Sequence, residues 1–266
     1  MSRAISVRKN MPANRHFKPV RVLLPSEEVA RRLSDAIRAG YFRLGSKLPS
    51  ERSIAEQMQV SRPTVREAVK LLVEANILTV KPGSGGGAFV TSEIVPLDVI
   101  VTAPDLRPGD MGEALEMRRL ILPWVAQIAS QYAEDADFDR MRDAIEFGRQ
   151  SLPMPEVAKS SPEAISSIII ATMRFDLALA QATRNSLAMH LMELLLQWVE
   201  PMRHKTLQSR ADLVLSLELV ETMVRTIEAG DPAAIAEITE RRLNILEKAL
   251  EEQTGRRLRR SRYSPA

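Results

Sequence analysis

Apolar positions recur at helical spacing along most of the chain, and the places where that period breaks divide it. The first sustained run is Val29, Leu33, Ala36 and Ile37, which predicts a helix buried along one side. Ser26 precedes it as a candidate N-cap, with Glu27 and Glu28 in the first turn, where carboxylates suit the helix dipole. Gly40 ends the run, and Lys47–Leu48–Pro49 makes a turn. Ser50 caps a second helix, buried through Ile54, Ala55 and Met58. Gln59–Val60–Ser61 then turns tightly into a third, from Arg62 to about Glu74, whose inward face is Val65, Ala68, Val69 and Leu72. Beyond it the period changes. Ile77 to Lys81 reads as a strand, Pro82 to Gly87 as a glycine-rich turn, and Ala88–Phe89–Val90 as the returning strand.

From residue 111 onward the pattern is helical alone. It predicts helices at 111–132, 136–150, 162–183, 187–204, 210–229 and 232–253, broken clearly at Ser151–Leu152–Pro153–Met154–Pro155 and Gly230–Asp231–Pro232. Six antiparallel helices make a bundle whose interior can hold a ligand. The expected fold is mainly α: an N-terminal winged helix-turn-helix followed by an all-α antiparallel bundle. The expected layout is a basic flexible arm at 1–24, the winged module at 25–91 and a linker at 92–109 with a short amphipathic piece at Leu97–Val101. The helical domain then covers 110–253, and a disordered basic tail covers 254–266. Trp124 and Trp198 read as core residues of the bundle.

Charge separates the two modules. The net charge of +3 conceals 16 Lys and Arg against 8 Asp and Glu in residues 1–95, and 16 against 26 in residues 96–253. The last 13 residues hold five arginines and no acid. A basic module joined to an acidic one fits a protein of which one part meets phosphates. The chain has no cysteine, which excludes disulfides, zinc ribbons and thiol nucleophiles. No apolar run approaches a membrane span, and no signal-peptide pattern follows the basic N-terminus, so a cytoplasmic protein is expected. Catalysis finds no support. The Gly83–Gly87 run joins two strands and lacks the Gly-Lys-Ser/Thr ending of a phosphate loop.

Two short helices joined by a tight turn have the helix-turn-helix geometry, and the second places its N-terminal residues against base edges in the major groove. Those residues are Ser61, Arg62, Thr64 and Arg66. The guanidinium fork matches guanine O6 and N7. The glycines of the hairpin allow a close backbone approach to phosphate. Lys47 and Lys70 read as background charge. The run Gly40…Leu44–Gly45–Ser46–Lys47–Leu48–Pro49–Ser50–Glu51–Arg52, then Val60–Ser61–Arg62–Pro63–Thr64–Val65–Arg66–Glu67–Ala68, then Gly83…Gly87–Ala88–Phe89–Val90, resembles the N-terminal domain of the GntR family. The resemblance implies contacts to double-stranded operator DNA from Arg52, Ser61, Arg62, Thr64, Arg66 and Gly83. Gln59 departs from the pattern, since many members have glycine there.

Met117–Arg118–Arg119, Phe175 followed by Arg184–Asn185, and Ile227–Glu228–Ala229–Gly230–Asp231 are similar to the helical effector domain of the FadR subgroup. That likeness implies a homodimeric, metabolite-responsive regulator, in the first instance a repressor, and not an enzyme. A non-specific architectural DNA-binding protein is the alternative reading. The subgroup often holds a divalent metal with an Asp and three His. The corresponding positions are Thr172, Asp176, Val220 and Arg242, and none is histidine. No metal or other cofactor is therefore expected, although a metal-dependent sensor stays open if the register slips. Two readings of the remaining residues stand side by side. Asp176 and Arg242 form a buried ion pair that sets packing, or Arg242 with Arg118, beside Thr172 and Asp176, receives the carboxylate of a small organic acid.

Overall fold

A computed structural model of the protein describes residues 24–83, 85–93, 95, 108–154 and 160–259. The N-terminal module is built from α1 (Pro25–Arg38), α2 (Glu51–Met58), α3 (Arg62–Glu74) and the hairpin β1 (Leu78–Lys81) and β2 (Gly87–Val90). Its core forms where Val29, Leu33 and Ile37 of α1 meet Val65, Ala68 and Leu72 of α3. Helix α1 starts at Pro25, one residue before the expected cap at Ser26. The physical reason is twofold. Proline suits the first helical position, where no N–H is required, and the Glu27 carboxylate reaches back to accept from the Leu24 N–H at 2.8 Å. Ser50 and Ser61 do cap α2 and α3, their hydroxyls accepting from the Ser53 and Thr64 N–H groups at 3.2 Å. Gln59 ends α2 with φ of 55°, the left-handed conformation that glycine would adopt freely and that costs a larger residue about 1–2 kcal/mol.

The hairpin pairs Leu78 with Val90 and Lys81 with Gly87. The segment before α2 adds to it through a bridge between Lys47 and Phe89. Gly86 is required at the tip, because a Cβ there would lie 2.2 Å from the Lys81 carbonyl oxygen.

The second module is a bundle of α4 (Pro108–Tyr132), α5 (Asp135–Gln150), α6 (Pro162–Ala182), α7 (Ser186–Thr206), α8 (Arg210–Ala229) and α9 (Pro232–Thr254). Ser161, Asn185, Ser209 and Asp231 cap α6 to α9 with side-chain oxygens, and Gly230 closes α8 at φ of 67°. Helix α6 is buried nearly all round, against α5, α7, α4 and α8. A helix so enclosed must be apolar on every side or partner each polar group it carries. It carries Thr172, Arg174 and Asp176, all buried.

Three expectations are corrected. Helix α4, Pro108–Tyr132, includes residues 108 and 109 of the stretch read as linker. The tail is not wholly free. Gly255 turns the chain at φ of 66°, Leu258 is buried beside Gly112 and Leu250, and the Arg259 N–H donates to Glu116 at 2.9 Å. Trp124 is 45% exposed and is no core residue; it shares an outward face with Met117 and Leu120. The arm at 1–23, the piece at Leu97–Val101 and residues 260–266 lie outside the described residues.

Candidate DNA interface and effector pocket

Helix α3 opens with Ser61 as its cap, and the Ser61 and Thr64 hydroxyls lie 2.7 Å apart. Both therefore hold the first turn, and the arginines are left to reach outward. Arg52, Arg62 and Arg66 border one groove together with Lys47 and the wing residues Gly86 and Gly87. Arg52 pairs with Glu56 at 2.8 Å and Arg66 with Glu51 at 3.0 Å, and both arginine side chains are 70% exposed. Arg62 has no carboxylate within ion-pair distance among the described residues. Exposed pairs of this kind contribute little and open readily. Gly83 sits at the wing with φ of 101° but outside the groove. Lys47, read in the sequence as background, has a definite place. Its ammonium donates to the Gly85 carbonyl at 3.2 Å, and it lies 5.9 Å from the Phe89 ring centroid.

The second site lies inside the bundle. Thr172, Asp176, Arg118 and Arg242 converge, as the sequence expected, and Arg203 from α7 joins them. Asp176 Oδ1 accepts from Arg242 at 2.8 Å, while Oδ2 accepts from Arg118 at 2.7 Å and from Arg203 at 3.2 Å. Arg203 also donates to the Thr172 hydroxyl at 2.8 Å. Arg242 stacks over the Phe175 ring, 5.0 Å from its centroid. Burial pushes the Asp176 carboxyl up, and the guanidiniums of Arg242, Arg118 and Arg203 more than reverse this, holding it at about 2. Burial lowers Arg118, Asp176 pulls it back, and its two guanidinium neighbours push it down again, to about 10. Beside this cluster is a cavity of about 70 Å³, bordered by Arg118, Arg203, Arg242 and Thr172, with Asp212 and the exposed Leu215 at its rim.

Val220 does not reach this cavity; it is 1% exposed and belongs to the apolar core. Of the four positions that correspond to the subgroup's metal ligands, only Asp176 offers a strong donor, and its oxygens are occupied by guanidinium N–H groups. Such a donor set does not fit a divalent cation. Among the described residues no group of three His, Asp or Glu is placed to hold one.

A family model for bacterial regulatory proteins of the gntR family matches residues 25–90, and one for the FCD domain matches residues 113–244. The HTH-type transcriptional regulator LutR of Bacillus subtilis is 31% identical over 205 residues, which cover 74% of this chain and 88% of LutR. The chain belongs to the GntR family. It is thus a transcription regulator with a DNA-binding domain and an FCD effector domain, and not an enzyme. The Uxu operon transcriptional regulator of Escherichia coli is 32% identical over 66% of this chain and 65% of its own length. A solved structure of E. coli McbR/YncC shares the fold at a TM-score of 0.50 and 19% identity, covering 87% of this chain and 99% of that one. Among the described residues no helix is long and apolar enough to cross a membrane.

In this GntR regulator the pocket and the DNA-binding module share two helices. On α6, Arg174 stands between Thr172 and Asp176 but points to the other module. Its guanidinium donates to the Arg38 carbonyl at 2.7 Å and the Ile37 carbonyl at 3.0 Å, and pairs with Glu93 at 2.7 Å. Those carbonyls end α1, where the helix dipole favours a cation. On α7, Glu200 lies one turn before Arg203 and forms a buried ion pair with Arg38. Sequence reasoning missed Arg174, Arg203 and Glu200 as functional residues. The available signal was a charge at positions where the apolar period calls for burial.

Proposed function

We propose that this GntR regulator binds an inverted-repeat operator as a homodimer, reading bases through α3, and acts as a repressor whose operator affinity a small organic acid changes. Arg62 and Arg66 read bases; Arg52, Ser61, Thr64 and Gly83 support the contact and hold the backbone. The acid is received by Arg118, Arg203 and Arg242 beside Thr172, with no metal between. The observation that carries this reading is the convergence of three buried guanidiniums on a cavity whose walls, α6 and α7, also grip the end of α1. Helix α1 packs on α3, so a shift of either wall is transmitted to the DNA-reading helix. Ligand binding alters DNA affinity only if the ligand prefers one arrangement of the modules.

The dimer is supported by an apolar face that the single chain leaves uncovered. Met117, Leu120 and Trp124 on α4 are 45–48% exposed, and Leu187 and Leu194 project from the adjacent α7. Exposed apolar faces of this kind mark protein contacts, and a second copy presents the same face to it under two-fold symmetry.

Glu200→Gln tests the proposed coupling. In the wild type, a saturating short organic acid such as malonate should change operator affinity by about 5- to 150-fold. In the variant that change should shrink to less than about threefold, while the affinity of the ligand-free protein stays close to wild type. A full-sized response in Glu200→Gln would remove α7 from the route.

A further inference from the structure

We propose that the bundle pocket selects a compact dianion, of which a short dicarboxylate and an inorganic tetrahedral oxyanion are the two sources, over any monocarboxylate. The inference rests on the reading of this pocket as an effector site and adds the charge its occupant must carry.

The charges inside the site do not balance. Arg118, Arg203 and Arg242 are 1%, 5% and 8% exposed, and the one fully buried carboxylate among them, Asp176, is 0% exposed. Their remaining partners are neutral: Arg203 donates to the Thr172 hydroxyl, and Arg242 lies 2.9 Å from Met223 Sδ. Two other acids stand nearby: Asp212 keeps its charge at the partly exposed rim, where solvent screens it, and the charge of Glu200 is shared between Arg38 and Arg203. Asp212 Oδ2 accepts from the Gln208 and Ser209 N–H groups and from the Ser209 hydroxyl at the start of α8. Arg118 Nε is buried with no hydrogen-bond partner among the described residues, a donor still unfilled.

The site thus holds two positive charges beyond what Asp176 neutralises. Buried charge of one sign is costly, and its repulsion is poorly screened where water is excluded. A monocarboxylate leaves one guanidinium uncompensated. An occupant with two negative charges closes the balance and offers two oxygen faces to the guanidinium forks. The cavity sets the size. At about 70 Å³, where one water needs about 10–15 Å³, it takes roughly five to seven heavy atoms.

Titration calorimetry on the full chain, at mildly alkaline pH and constant ionic strength, tests this with malonate, malonamate, acetate and inorganic phosphate. Malonamate, the monoamide, keeps the skeleton and size of malonate and removes one charge. Malonate or phosphate should bind at least about tenfold more tightly than either monoanion. The tighter of the two dianions identifies the source. Affinity for both dianions no greater than for malonamate and acetate would overturn the dianion claim and leave the acid pocket standing. No binding by any of the four would overturn both. Ser216→Asp, at a partly exposed position on the cavity wall, adds one negative charge without removing a buried partner. It should reduce the dianion preference to about threefold or less. An unchanged preference in that variant would put the binding elsewhere and overturn the assignment.

Discussion

Arg62→Ala and Arg66→Ala should each weaken binding to the operator by roughly 5- to 150-fold, with a far smaller loss on random duplex. The expectation follows from position. Both side chains leave the N-terminal turn of α3, and Ser61 and Thr64, engaged with each other, fix that turn without competing for the bases. Arg66 is held by Glu51 in the free protein, and DNA must displace that contact. An exposed ion pair contributes little, whereas a bidentate guanine contact discriminates strongly, so the exchange favours DNA. Arg52→Ala should behave differently. A contact to phosphate lowers affinity for every sequence alike and reduces the salt dependence of binding. Fluorescence anisotropy with operator and random duplexes at two salt concentrations separates the two kinds. Equal losses on both duplexes for Arg62→Ala and Arg66→Ala would reduce these arginines to phosphate contacts.

Asp176→Asn should destabilise the protein by about 3–5 kcal/mol, since it leaves three buried guanidiniums facing one another without a counter-charge. Arg242→Met should cost much less, because Asp176 keeps Arg118 and Arg203 and one source of repulsion is gone. Urea unfolding of the two variants gives the comparison. Similar losses would mean that the charges are balanced by something other than Asp176. The pH dependence has a definite sign. Asp176 is held at about 2, below the usual aspartate value of 3.8, so its contribution to stability is complete above about 4 and disappears as the pH falls through 2.

Much of this was legible in the sequence because helix period and capping act locally. Ser50, Ser61, Asp231 and Gly230 mark helix ends by chemistry confined to a few residues, and the structure puts α2, α3, α8 and α9 accordingly. The pocket was legible in part. Asp176 and Arg242 stand at positions that the family resemblance places in one site. Arg203 did not stand out, because it shares the last turn of α7 with His204 and Lys205, where cations suit the helix dipole in any protein. Its place is set by Thr172 and Asp176 of α6, which is a tertiary fact. Arg174 stands in an otherwise largely apolar stretch, and nothing local to it indicates a partner. Its role exists because the end of α1, more than a hundred residues earlier, lies against it. Trp124 was misjudged for the same reason. A helix whose apolar residues lie on several sides does not reveal which side its neighbours cover.

Selection of binding sites from genomic fragments with the purified full chain tests the central claim most directly. The expected result is a single inverted repeat, with guanines at fixed positions in each half-site and enrichment lost when Arg62 and Arg66 are both replaced by alanine. Recovery of fragments with no common sequence, or of one unsymmetrical half-site bound at full affinity, would contradict it.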